Sequence, residues 1–289
     1  RWDATSVADP QVAVVTPVGA DHTHILGDSL EKIAAEKAGI IKPGATVVLS
    51  GQEPAAARVL LAQAVEAGDV VRAEGPDFGV LERRPAVGGQ VIRIESAGGP
   101  LGDLFLPLHG AYMARNAALA VAAVEAFLGG QPLAPEIIEE GLASVVAPAR
   151  LELARTSPAI VIDTAHNPQA AQATIDACQE AFAFQPLIGV VAMMADKDTS
   201  GVLEIFASAM DQVVVTRAQG TPRALPAEEL ARAAEDFWPA GKVHQAPAMP
   251  DALELATLLA DAAGPGTGVL VAGSLIAAGQ ARDLLVAEQ

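Results

Sequence analysis

The sequence predicts an α/β protein built on a mostly parallel sheet, and three observations carry this. Short Val-, Ile- and Leu-rich runs, bounded by Gly, Pro and Asp, alternate with stretches of helical period, the pattern of strands joined by right-handed helical crossovers. Hydrophobic residues make up 51% of the 289-residue chain and aromatic residues only 3%. The core is therefore built from Ala, Val, Leu and Ile, which suits strands buried on both faces. Several apolar runs also end in clusters of chemically active polar side chains, as at the carboxyl edge of an open α/β sheet. A chain of this length holds two ordinary domains or one large one.

The elements follow in order. Residues 11–18 (QVAVVTPV) read as a short buried strand ending at Thr-Pro. A loop with Asp21 and His22 comes next. Asp28 or Ser29 caps a helix that runs to about residue 41, where Lys-Pro-Gly stops it. Residues 45–50 form a strand and 54–68 a helix. The segment 76–108 differs: it alternates apolar and polar residues around Gly88-Gly89, a hairpin signature. Helices are expected at 111–128 and 134–146. Residues 146–158 (VAPARLELARTSP) contain prolines and no helical period, and read as a linker between domains. Beyond it, strands at 159–165, 187–194, 212–218 and 268–274, with a weaker one at 242–246, alternate with helices at 169–183, 199–210, 226–236, 250–263 and 276–286.

Net charge is −17. A field of that sign repels nucleic acid and anionic membranes, while leaving room for a local basic pocket. No stretch of about 18 apolar residues reads as a membrane span, and no signal peptide is visible. The single cysteine, Cys178, allows neither a disulfide framework nor a cysteine metal site, so a reducing cytoplasm is the expected setting.

Three polar clusters mark strand ends in the second half: DTAHNP (163–168), ADKD (195–198) and Gly273-Ser274. Asp163 can accept ribose hydroxyls and His166 can donate to an anion. Asn167-Pro168 also has the form of a helix cap followed by a first-turn proline. Asp196, Lys197 and Asp198 read equally as a turn before a helix. Ser274, opening the last helix, can cap it or grip a carboxylate with its hydroxyl and N–H. In the first half, Lys37 lies on or beside the apolar face set by Leu30, Ile33, Ala34, Ala38 and Ile41. Burial disfavours an ammonium, and a neutral amine adds CO₂ to become a carbamate, a two-oxygen anion suited to Mg²⁺. The plainer alternative is a lysine that reaches solvent or pairs with an acid. No G-x-x-x-x-G-K-[ST] phosphate loop occurs.

Taken together, RWDATS (1–6), DH with IAAEKAGIIKPG (21–22, 33–44), RNAALA (115–120), PAR (148–150), DTAHNP, ADKD and GSL resemble, in order along the whole chain, the motifs of the folylpolyglutamate synthase/dihydrofolate synthase family, relatives of the Mur ligases. The resemblance implies residues 1–147 as the C-terminal part of a P-loop-type central ATP-binding domain, and 148–289 as a Rossmann-like glutamate ligase domain. It implies an ATP-dependent ligase that activates a folate or dihydropteroate carboxylate as an acyl phosphate and joins it to L-glutamate. His22 would then be a Mg²⁺ ligand and Lys37 the carbamylated lysine serving Mg²⁺. Asn116 would contact adenine, Arg150 the ATP phosphates and Asp163 the ribose. His166 and Ser274 would orient glutamate and the reacting phosphate, with Asp196 and Lys197 beside them. Trp2, Asp3 and Ala4 match the segment lining the pteroate site. The resemblance places the ATP site between two domains and implies a monomer without nucleic-acid or membrane partners. Departures are Ser6 for Asn, Tyr112-Met113 for His-Gln, and Ala149 and Thr164 for glycines. The family's phosphate loop, serine loop and Mg²⁺-binding glutamate would precede Arg1, so the sequence reads as a fragment. Two alternatives stay open: a Mur-type ligase acting on a peptidoglycan precursor, and a non-catalytic remnant that binds nucleotide weakly.

Overall fold

The computed structural model describes residues 4–19 and 29–286. Two units divide the chain, Arg1–Val146 and Ala147–Gln289.

In the first unit, three short strands, β1 (Val12–Val15), β2 (Thr46–Leu49) and β3 (Val70–Ala73), form a parallel sheet in the order β1-β2-β3. Their connections are helices, as parallel pairing requires. Helix α1 (Leu30–Lys37) begins where the Ser29 hydroxyl accepts from Lys32 N, and it passes into a 3₁₀ turn, Ala38–Ile40. Helix α2 (Pro54–Ala67) starts with proline in its first turn, where the missing N–H costs nothing. Ile33, Ala34, Leu60 and Ala64 from these helices pack on Ala13, Val15, Val47 and Leu49. A second sheet is antiparallel: β4 (Gly79–Ala86), β5 (Gly89–Ser96) and β6 (Gly99–Leu106). Helix α3 (Ala111–Phe127) packs on both sheets, joining Val48 to Ile92 and Ile94 through Ala114, Ala118 and Val121. That explains much of its apolar sequence: a helix packed on two sheets buries more than one face, and nine of its residues are buried. Helix α4 (Pro135–Ala143) covers β6.

The second unit has one six-stranded sheet, β7 (Glu152–Thr156), β8 (Ala159–Ile162), β9 (Leu187–Val191), β10 (Gln212–Val215), β11 (Val243–Gln245) and β12 (Gly268–Ala272), in the order β11-β10-β9-β12-β8-β7. All neighbours are parallel except β7 with β8. The intervening helices are α5 (Pro168–Phe182), α6 (Thr199–Ala207), α7 (Ala227–Ala234), α8 (Met249–Ala263) and α9 (Leu275–Val286). Every residue of β9 and β12 is buried, so these apolar runs carry no alternation and read as central parallel strands.

Three strands depart from the expected pattern. The expected linker 146–158 contains β7, paired from Glu152↔Ile162 to Thr156↔Ala159 with a register shift between Leu153 and Arg155. That irregularity breaks the period-two pattern by which a strand is read. β3 escaped notice because none of its residues is buried. β6 extends the Gly88 hairpin to three strands.

Candidate functional site at the carboxyl edge of the second sheet

The order β9-β12-β8 places three sequence-distant strands side by side, so their carboxyl ends share one edge. Backbone bonds stitch that edge. Asp163 N donates to Val271 O at 2.9 Å, Gly273 N to Ala165 O at 2.7 Å, and Ala192 N to Ala272 O at 3.3 Å. Gly273 has φ +101°, and a Cβ there would lie 2.6 Å from the Ala192 carbonyl oxygen, so only glycine fits. The loops carrying Asp163 to Asn167, Asp196 to Asp198 and Ser274 are thereby neighbours.

Asp163 is 3% exposed. Its Oδ1 accepts from Ala165 N at 2.8 Å and from the Thr174 hydroxyl at 2.9 Å, and its Oδ2 from Leu151 N at 3.0 Å. Burial pushes this carboxyl up, and the three donors pull against that. A carboxylate has about four lone-pair sites, so the fold takes most of what the expected ribose contact would use. His166 Nδ1 lies 2.8 Å from Thr164 O. A carbonyl only accepts, so Nδ1 carries a proton and Nε2 is the basic nitrogen of the neutral ring. Asn167 caps α5 through Ala170 N at 2.8 Å. Asp198 caps α6 through Gly201 N. The Ser274 hydroxyl, 2% exposed, accepts from Ile276 N at 3.2 Å and Ala277 N at 3.5 Å, the capping geometry.

Asp196 is held by Arg223, whose Nη2 reaches its two oxygens at 2.9 and 2.7 Å. The guanidinium hydrogen bond holds this carboxyl below the usual range. Arg223 sits between β10 and α7, and was not singled out from sequence. Lys197 belongs to the same turn, its N donating to Met194 O.

Arg150 reaches this edge too, because Leu151 N is bound by Asp163. It is exposed between Ala149 and Leu151, which are 6% and 1% exposed. Both neighbours have left-handed backbone, φ +53° and +48°. For residues with a Cβ such backbone costs roughly 1–2 kcal/mol each. The glycine expected at 149 is thus replaced by alanine at a position where glycine would be unstrained.

In the first unit, Asn116 is exposed on α3 with its amide 4.0 Å from Met113 Sδ. Lys37 is half-buried at the end of α1. Ala4 belongs to a 3₁₀ turn, Ala4–Val7, that packs against the turn Ala38–Ile40 directly after Lys37. Trp2, Asp3 and His22 lie outside the described residues. A cluster missed from sequence joins the carboxyl ends of β2 and β3. Glu74 accepts from the Ser50 hydroxyl and Gly51 N, both at 2.6 Å, and from Arg115 Nε and Nη2 at 2.8 and 3.0 Å. Burial opposes its charge, but these donors prevail and hold its carboxyl at about 2. No sequence signal could have found it, because the partners are 41 residues apart.

Among the described residues no three His, Cys, Asp or Glu side chains gather as metal ligands. They do not form a Mg²⁺ site by themselves, since of the two expected ligands only Lys37 is among them. No described helix is long and apolar enough to cross a membrane.

Residues 149–275 match the Mur ligase glutamate ligase domain. Over 98% of its length the chain is 42% identical to the Mycobacterium tuberculosis dihydrofolate synthase/folylpolyglutamate synthase, and it spans 62% of that relative. It is similar in fold to the crystal structures of M. tuberculosis folylpolyglutamate synthase complexed with ADP and AMPPCP, with TM-score 0.94 and 43% identity, covering 98% of this chain and 66% of that one. E. coli FolC in complex with DHPP and ADP matches with TM-score 0.82 and 29% identity, over 99% of this chain and 64% of that one.

Proposed function

We propose that this chain, which belongs to the folylpolyglutamate synthase/dihydrofolate synthase family of Mur ligases, carries the chemistry of an ATP-dependent ligase joining L-glutamate to a folate or dihydropteroate carboxylate, in a reducing cytoplasm that suits its one buried cysteine. The observation that carries this is the stitched carboxyl edge, where Gly273 N meets Ala165 O at 2.7 Å and Arg150, Asp163, His166, Asp196, Lys197 and Ser274 stand on adjoining loops. Polar and cationic groups on one sheet edge are what an anionic substrate pair needs in a chain of net charge −17.

In the proposed reaction a carboxylate oxygen attacks the γ-phosphorus of ATP, and ADP departs. The glutamate amine then attacks the acyl carbon, the C–O bond breaks with its electron pair going to phosphate, and the amine loses a proton. Arg150 and Lys197 offset charge on the phosphoryl oxygens. His166, with its proton fixed on Nδ1, has Nε2 as the nitrogen able to take a proton. Ser274 accepts two amide bonds and keeps its own hydroxyl proton for donation. Asp163 shapes the loop under Arg150 and has lone-pair capacity left for ribose. Asn116 is assigned to adenine, and Trp2, Asp3 and Ala4 to the pterin end. His22 and carbamylated Lys37 would hold Mg²⁺, which supplies positive charge to the transferring group.

The test is ADP release with MgATP, bicarbonate and L-glutamate, by the chain and by a form extended upstream through the family's phosphate loop, with dihydropteroate, tetrahydrofolate and a nucleotide-linked peptide as separate acceptors. Turnover requiring both glutamate and a pterin acceptor is expected of the extended form, with His166→Ala lowering it at least about 100-fold. Turnover only with a nucleotide-linked peptide acceptor would reassign the chain to peptidoglycan chemistry. ADP binding without turnover in both forms would assign it nucleotide binding alone.

A further inference from the structure

Arg150 is one exposed side chain between two buried residues in left-handed backbone, and two carboxylates hold those neighbours. Asp163 Oδ2 accepts from Leu151 N at 3.0 Å, and Glu152 Oε2 from Ala149 N at 2.7 Å. The two grips differ in kind. Asp163 is deep in the fold and fixed by Ala165 and Thr174. Glu152 is held by one ion pair: Arg282 Nε, from α9, reaches its oxygens at 3.1 and 2.9 Å. Those side chains retain 34% and 23% exposure. Such a pair contributes little to global stability, yet here it secures a backbone that alanine does not adopt by preference. Arg282 and Glu152 lie 130 residues apart. The helix that supplies Arg282 opens at Ser274.

We propose that Glu152 and Arg282 are positioning residues. They clamp the loop 149–151 in its left-handed form, present Arg150 to the nucleotide phosphates, and tie that presentation to the helix opening at Ser274. The phosphate role of Arg150 rests on the function proposed above; the clamp on the backbone does not. Asp163 is the fixed jaw of the clamp and Glu152 the releasable one.

The experiment uses the whole chain with Glu152→Ala, Arg282→Met, Arg282→Lys, Arg150→Ala and Ala149→Gly, the last alone and in the two clamp backgrounds. Amide exchange of the 147–152 segment and MgADP affinity by calorimetry are read together. Glu152→Ala and Arg282→Met are expected to speed exchange in that segment selectively and to weaken MgADP about five- to tenfold, since a misplaced contact loses much of its value. Arg282→Lys should restore most of both. Ala149→Gly should recover affinity in the clamp backgrounds, because glycine takes left-handed backbone without strain, and should change the native chain less than about twofold. Unchanged exchange in the clamp variants overturns the clamp, whatever happens to affinity. Faster exchange with unchanged affinity, while Arg150→Ala weakens binding, overturns the positioning role. If Arg150→Ala leaves MgADP binding unaltered, or the native chain takes up none, the phosphate role of Arg150 fails and exchange alone decides the clamp.

Discussion

The two parallel sheets solve the same packing problem to different degrees. In the second unit the central strands β9 and β12 are buried at every residue. In the first unit Val14 of β1 is 38% exposed and Val70 of β3 65% exposed. Parallel strands normally have both faces covered. The second sheet achieves this with its own helices. The first depends on α1 and α2 on one face and on α3, itself shared with the antiparallel sheet, on the other. The difference teaches that burial follows a strand's place in its sheet: the central strands β9 and β12 are covered at every residue and the edge strands β1 and β3 are not.

The comparison breaks most directly under two truncations, one on a central strand of the second sheet and one on an edge strand of the first. Leu270→Ala in β12, at a fully buried position, should cost about 2–5 kcal/mol. Val70→Ala in β3 should stay within about 0.5 kcal/mol. Urea unfolding of both variants measures this, and equal losses would mean the edge of the first sheet is as fully packed as the centre of the second.

Acid sharpens the contrast through two carboxylates of opposite disposition. Glu74, in the first unit, is brought from its ordinary 4.5 to about 2. A depressed carboxyl adds stability that is complete above its unfolded value and is lost as pH falls through the folded one. Its contribution should therefore fade between about pH 4.5 and 2. Because Arg115 is 43% exposed, about 1–2 kcal/mol is expected after screening. Asp163, in the second unit, is pushed up by burial, so acid relieves the cost of its charge. Unfolding followed with probes in each unit should show acid loss in the first unit that Glu74→Gln removes. The smallest effect lies at the start of α1: Ser29→Ala, which deletes the bond to Lys32 N, should cost about 0.5–1 kcal/mol, read as a shift in the first unit's transition.

Much of the architecture was legible because its signals are local. Val-rich runs gave β1, β2 and β8 to β10, and Asn167-Pro168 announced the start of α5. The strand-end clusters pointed to one sheet edge because strands of a parallel sheet share a direction. What escaped was non-local or weakly patterned. β7 has an irregular register, β3 buries nothing, and Glu74–Arg115, Asp196–Arg223 and Glu152–Arg282 pair residues that no spacing rule connects. Asp163 was noticed for its chemistry, but its work in holding Leu151 N could not be seen before the loop was folded onto it. Ala149, noted as a departure from glycine, acquires a physical meaning only from its φ of +53°.

Gly273 carries one more consequence. With its N–H on Ala165 O and no room for a Cβ beside Ala192 O, three loops from three strands behave as a single casting. None can gain or lose a residue alone without forcing the other two apart. Variation in chain length within this domain should therefore collect elsewhere. Anyone exchanging the substrate chemistry of this edge would have to transplant all three loops as a set.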